Sequence, residues 1–206
     1  MGFSEFYHSR FFVNQDVLIP RPETEYLVDL LVQEFCGKVK RILDVGTGSG
    51  VIALSLLRSG VGDEGIATDI SLEALNVAKI NTHRFRLQDR LRLMQMDRLE
   101  SVTGKFDLIV SNPPYIRRNS QRSLVHNSVD AHEPHLALYL GDAHYDEWFE
   151  TFFRQVGESL SGDFFMEGHE HEVEAQSAIL RRLGFTQVNV LKDLAGRTRF
   201  LHAHKS

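Results

Sequence analysis

The sequence predicts an α/β fold: a mostly parallel, doubly wound sheet of seven strands with helices on both faces. Three observations carry this. Short apolar runs alternate with helix-length amphipathic segments along most of the chain. A glycine-rich turn, "LDVGTGSGVIAL", follows the first strand of that series. The last two strands are separated only by "DLAG", too little chain for a crossover helix, so they form a C-terminal antiparallel hairpin.

Each element has a local reason. Residues 1–20 contain "FFVNQDVLI", whose alternation predicts a short N-terminal β-hairpin or extended arm, and residues 21–206 are read as one domain. "RPETEYLVDLLVQEF" opens a helix. Pro22 sits where an early proline is tolerated, Glu23 and Glu25 suit the positive end, and Leu27, Leu30, Leu31 and Phe35 form the apolar stripe. Cys36 is read as a small buried hydrophobe on that face. Strand "RILDV", helix "SGVIALSLLRS", strand "GIATD" and helix "SLEALNVAKINTH", capped by Ser71, come next. Strands "RLRLMQM" and "FDLIV" follow, then a long polar loop from Tyr115 to about Asp142. Helix "YDEWFETFFRQVGESL", strand "DFFMEG", helix "EVEAQSAILRRLG" and the strands "TQVNVLK" and "RTRFLHA" complete the series, with "HAHKS" expected to fray.

Composition narrows the class. The 206 residues carry a net charge of -5, which argues against a protein whose task is to wrap nucleic acid. One cysteine allows no intrachain disulfide and fits a cytoplasmic setting. The N-terminal segment has no secretory h-region, and no apolar run reaches the roughly 18 residues of a membrane span. The length suits a monomer with its own core.

Gly46, Gly48 and Gly50, with Thr47 and Ser49 between them, lie where strand turns into helix. Glycines there allow positive φ and let a ligand approach the main chain. The spacing is G-x-G-x-G, not the dinucleotide G-x-G-x-x-G. Asp69 ends the next strand, at an offset suited to accepting from ribose hydroxyls. Asp97, followed by Arg98, ends the third and could accept from an adenine amino group. Three adjacent strand ends with ligand-competent features suggest an adenosine-type ligand. A dinucleotide dehydrogenase remains open on these residues alone.

The fourth strand ends in "NPPY". Asn112 would present an acceptor at the carboxyl edge of the sheet, where open sheets bind ligands. Pro113 and Pro114 have fixed φ and no N–H, so their carbonyls are offered without a competing donor. Tyr115 supplies a flat face. Together they make a slot for a planar NH2 group, with the Asn112 oxygen and the Pro113 carbonyl taking its two hydrogens. Such bonds push electron density towards a poorly nucleophilic nitrogen. No general base is needed early, because such a nitrogen becomes strongly acidic only after it has formed a new bond.

"IPRPETE", "LDVGTGSGVIAL", "FDLIVSNPPYI", "VDAHEPHLAL" and "AGRTRFL" together resemble the HemK/PrmC family, over nearly the whole chain. These enzymes methylate the glutamine of the Gly-Gly-Gln motif in peptide-chain release factors. The resemblance implies a class I methyltransferase, Rossmann-like fold with S-adenosyl-L-methionine as cofactor and a release factor as partner. It implies that Gly46 to Gly50 hold the methionine part of the cofactor, Asp69 the ribose and Asp97, with Arg98 beside it, the adenine side. It implies that Asn112 to Tyr115 bind the glutamine amide, while Arg21, Pro22, Glu23 and Thr24 close over cofactor and substrate. Bacterial members carry an N-terminal helical bundle, and this sequence starts where that bundle would end. An aromatic residue often follows the third-strand acid, where Arg98 stands here.

NPPY also occurs in methyltransferases acting on adenine or guanine amino groups, and a cofactor-binding module with little turnover is a third reading. "RRNSQR", Arg117 to Arg122, is either a solvated loop or a docking patch. His169 and His171 in "EGHEHEVE" read as a polar loop, and no metal is expected. The aromatic run "WFETFF" reads as core.

Overall fold

The computed structural model describes residues 2–205. In chain order the elements are β1 (Gly2–Phe6), β2 (Ser9–Val13), α1 (Pro22–Phe35), β3 (Arg41–Val45), α2 (Val51–Arg58), β4 (Glu64–Asp69), α3 (Leu72–Arg84), β5 (Leu91–Gln95) and β6 (Phe106–Ser111). There follow β7 (Ile116–Arg117), α4 (Asn127–His132), α5 (His135–Leu138), β8 (Tyr139–Leu140), α6 (Tyr145–Ser159), β9 (Leu160–Glu167), α7 (Val173–Arg182), β10 (Gln187–Lys192) and β11 (Thr198–His204).

The main sheet runs β10-β11-β9-β6-β3-β4-β5. β3 pairs parallel with β4 and β6, β4 with β5, and β6 with β9. β11 runs against both of its neighbours. This is the class I, Rossmann-like arrangement the alternation predicts. The central strands are apolar throughout because helices cover both faces. Ile42, Leu108, Val110, Phe165 and Phe200 pack with α1 and α2 on one side. Leu43, Val45, Ile109, Phe164, Met166 and Leu201 pack with α6 and α7 on the other. Successive side chains go to opposite faces, as a strand's period of two requires. "WFETFF" lies largely in the second core, as expected, with Phe149, Phe152 and Phe153 fully buried.

The β1–β2 hairpin is fastened to the rest by several side chains: the Tyr7 N–H donates to Glu25 Oε1 at 2.8 Å, Arg58 meets Ser9, and one residue of α3 makes three bonds. Asn81 of α3 is fully buried. Its oxygen accepts from the Phe12 N–H (2.8 Å), and its nitrogen donates to the Phe12 carbonyl (3.0 Å) and the Ser49 carbonyl (2.9 Å). The hairpin, α3 and the glycine turn are thereby tied together.

Three local expectations need correction. The polar stretch after Tyr115 is not one loop. It contains α4, α5 and the β7–β8 pair. Cys36 is exposed, because α1 ends at Phe35 and Cys36 turns away as its C-cap, with Sγ 3.3 Å from the Ser59 carbonyl. The chain end does not fray at residue 202: β11 continues to His204, and His202 Nε2 and His204 Nδ1 both meet Asp163 Oδ1, at 2.7 and 3.3 Å.

Among the described residues no helix is long and apolar enough to cross a membrane.

All three hydrogen-bonding valences in use at Asn81 are buried, and truncation leaves the partners bare. Asn81→Ala is expected to lower unfolding stability by about 2–4 kcal/mol in a urea titration. A change below about 0.5 kcal/mol would mean that the hairpin is held mainly by its aromatic side chains.

Candidate active site

Because β3, β4, β5, β6 and β9 are parallel, their carboxyl ends share one edge. β3 delivers the glycine turn there, β4 delivers Asp69, and β5 leads into Asp97 and Arg98. β6 delivers Asn112, anchored by Ser111, whose hydroxyl donates to the Val45 carbonyl at 2.7 Å. β9 delivers Glu167, which sequence reasoning did not single out.

Glu167 is 1% exposed and organises its surroundings. Its Oε2 accepts from the Thr24 hydroxyl at 2.6 Å and from Asn112 Nδ2 at 3.1 Å. Its Oε1 accepts from the Tyr115 hydroxyl at 3.2 Å. Asn112 Nδ2 also donates to Thr24 Oγ1 at 2.9 Å. The Asn112 nitrogen is therefore turned to Thr24 and Glu167, and the Asn112 oxygen is left as the available acceptor. Burial pushes the Glu167 carboxyl up, while the Thr24 bond, Arg199 and the Tyr115 bond pull it back. Burial also raises the Tyr115 hydroxyl, and the Glu167 charge adds to this, so Tyr115 stays a neutral donor.

Two cavities of about 200 Å³ and 220 Å³ meet at Asn112 and Pro113. The first runs along the strand edge. It is lined by Gly46, Thr47, Gly48, Ser49, Asp69, Asp97 and Arg98, and by Pro114, Arg21 and Thr24. The second lies beyond the Asn112–Pro113 wall, between Tyr115, His169 and Arg199 on one side and Leu124, Val125 and Val129 on the other. Arg21 borders both. It pairs with Glu133 at 2.6 Å, and Glu133 also accepts from the Ile19 N–H at 3.2 Å. Glu133 is buried. This contact fastens the 115–142 segment over the start of α1.

The structure thus brings most of the expected site residues together, but not all. Pro22, exposed at the start of α1, and Glu23 lie outside both linings. So does Gly50: it caps α2 with φ of +83°, and a Cβ there would press on Leu54 at 3.0 Å, so its smallness serves helix packing. Tyr115 faces only the second cavity. The Arg117–Arg122 cluster is largely neutralised. Arg117 pairs with Glu172 and Asp146, and Arg122 with Asp130. No group of three or more metal-ligating side chains occurs among the described residues. His169 is held below the ordinary imidazole range, first by burial and then by His171 and Arg199.

The first cavity suits a ligand with hydroxyl, amino and extended chain parts. Gly48 has φ of +55° and a Cβ there would enter open space, so the turn leaves room that a side chain would fill. The Gly48 N–H donates to Asp69 Oδ2 and the Ser71 N–H to Asp69 Oδ1, both at 2.9 Å, which fixes the carboxylate at the cavity. Burial raises Asp69, opposed by these bonds. Arg98 Nη2 holds Asp97 Oδ2 at 2.6 Å.

The sheet order and this strand edge define a class I methyltransferase. Residues 22–138 match the Methyltransferase small domain family. A methyltransferase from Pyrococcus furiosus superposes with a TM-score of 0.70 at 20% identity, over 95% of this chain and 88% of that one. Release factor glutamine methyltransferases of Clostridium botulinum and Streptococcus pneumoniae are 38% and 36% identical over 213 and 208 residues. The alignments cover 100% and 98% of this chain, and 74% and 72% of those relatives. The chain belongs to the release factor glutamine methyltransferase family.

Asp44, beneath the turn, yields a test of the site's electrostatics. It is fully buried, with Oδ2 accepting from Thr47 Oγ1 (2.6 Å) and the Ala53 N–H (3.2 Å), and Oδ1 unpartnered. Burial pushes its carboxyl up from 3.8 to about 6. The folded state therefore binds this proton more tightly than the unfolded chain, and the group costs stability as pH rises through about 6. In urea titrations, stability of Asp44→Asn relative to the parent is expected to improve by about 3 kcal/mol between pH ~3.5 and pH ~7.5. A difference independent of pH would contradict a raised Asp44.

Proposed function

We propose that this chain transfers a methyl group from S-adenosyl-L-methionine to the side-chain amide nitrogen of the glutamine in the Gly-Gly-Gln motif of peptide-chain release factors. The observation that carries this reading is the Asn112 amide. Its nitrogen is locked inward and its oxygen is left to accept, at the wall between a glycine-lined cavity and a second chamber.

When bound, S-adenosyl-L-methionine supplies an electrophilic methyl group on a sulfonium sulfur. Its binding residues would be Gly46 to Ser49 for the amino-acid end, Asp69 for the ribose hydroxyls and Asp97 for the adenine side, with Arg98 holding the Asp97 carboxylate. The acceptor amide would enter the second chamber. There the Asn112 oxygen and the Pro113 carbonyl take its two hydrogens, and the Tyr115 ring covers its plane. This keeps the nitrogen lone pair directed at the first cavity. Orientation of this kind supplies much of the rate, of the order of 7–11 kcal/mol for well-aligned partners. The proton leaves the nitrogen for solvent once the new N–C bond makes it acidic. Family membership does not favour transfer to adenine or guanine.

The test is mass spectrometry of a release factor incubated with the protein and cofactor. One added methyl on the Gly-Gly-Gln peptide is expected, and its absence contradicts the reading. Asn112→Ala is expected to lower turnover about 10²–10³-fold while calorimetry finds cofactor affinity within about threefold of the parent. Loss of cofactor affinity instead would give Asn112 a different role.

A further inference from the structure

Glu167 lines neither cavity, yet it touches three residues of the site. A buried carboxylate with that set of contacts has a use beyond packing. The two ends of an asparagine amide are nearly identical in shape, and only their partners decide which end points where. Here the partners decide it fully. The Thr24 hydroxyl spends its hydrogen on Glu167, so its lone pair is what meets Asn112 Nδ2. Glu167 Oε2 meets the same nitrogen, and with three donors converging on this carboxyl its oxygens serve as acceptors. A flipped amide would set its oxygen against Oε2 with no hydrogen between them. Among the described residues no donor reaches the Asn112 oxygen.

We infer that Glu167, acting with Thr24, is a positioning residue that turns the Asn112 oxygen towards the acceptor chamber and thereby makes the site select an amide NH2 over a carboxylate. The inference rests on Asn112 as the group that accepts the substrate N–H. Glutamine and glutamate have nearly the same shape and differ at one terminal atom, a donating NH2 in the first and an accepting, negatively charged oxygen in the second. A wall made of the Asn112 oxygen and the Pro113 carbonyl offers two acceptors, which suit NH2 and oppose a second acceptor. A site built around one hydrogen-bonding pattern rejects the analogue that lacks it by large factors. The sign of that pattern is written one layer deeper, at Glu167. A glutamine at position 167 would carry a donor of its own. That donor can serve the oxygen of a flipped Asn112, leaving the Asn112 NH2 to face the chamber.

The experiment compares a release factor carrying Gly-Gly-Gln with the same protein carrying Gly-Gly-Glu. Four quantities are read: kcat and KM on the first, the inhibition constant of the second, and cofactor affinity by calorimetry. In Glu167→Gln, kcat is expected to fall about 10²-fold. Cofactor affinity is expected to stay within about twofold, and the preference for the Gln form over the Glu form to shrink by about tenfold or more. Thr24→Val removes the hydroxyl without changing shape and is expected to move both quantities in the same direction. Thr24→Ser restores the hydroxyl and retains the preference. If Glu167→Gln does not fold, Thr24→Val and Thr24→Ser carry the comparison.

An unchanged Gln-over-Glu preference in the folded variants overturns the inference. So does parallel loss of kcat and cofactor affinity with the preference intact, which would make Glu167 a packing residue. If the parent itself adds no methyl, the functional reading fails. The preference is then read as binding of the two release factors by calorimetry, and it still decides for or against Glu167.

Discussion

The buried carboxylate of Glu167 is the contact on which the site's geometry depends. Removing such a charge from water is expensive unless donors surround it. Here three donors do, from the first turn of α1, the end of β6 and the turn after it. They lie 143, 55 and 52 residues away in the chain. The same bonds that make the carboxylate tolerable set the distances between those segments. If α1 or β6 shifts, a charge is left without a partner, so these segments hold one another to a narrow range of positions.

The rest of the edge is fastened in the same manner, by side chains that bridge a strand end to a neighbouring segment. Asp69 holds the glycine turn through the Gly48 N–H, and Asn81 holds it from behind through the Ser49 carbonyl. Glu133 draws the 115–142 segment onto Arg21. The result is two chambers divided by Asn112 and Pro113, with the wall itself made rigid from beneath. Proline at 113 suits that place for a simple reason: it has a carbonyl to offer and no N–H to compete.

Much of this was legible in the sequence because the sheet writes itself plainly. "RILDV", "FDLIV" and the spacing of the helices fix strand order and direction, and direction places every strand end on one edge. Gly46, Asp69, Asp97 and Asn112 follow from that alone. Glu167 did not, although "DFFMEG" was read as a strand with an acid near its end. The histidines and acids after it made the segment look like a polar loop, and its partner Thr24 lies at the opposite end of the chain. α4 and α5, at 6 and 4 residues, are too short to show a helical period. Cys36 lies one residue past the end of α1, and helix ends leave only a weak trace in a sequence. The tail is held by a distant carboxylate, Asp163, which no local pattern signals.

The central claim is that the Asn112 oxygen and the Pro113 carbonyl together receive an amide NH2. The most direct test is a crystal structure of the protein with S-adenosylhomocysteine and a Gly-Gly-Gln release factor. The glutamine nitrogen is predicted to lie about 3 Å from both oxygens, with Asn112 Nδ2 still on Thr24 and Glu167. A glutamine whose oxygen meets Asn112 Nδ2, or one bound away from the wall between the two chambers, would contradict the account.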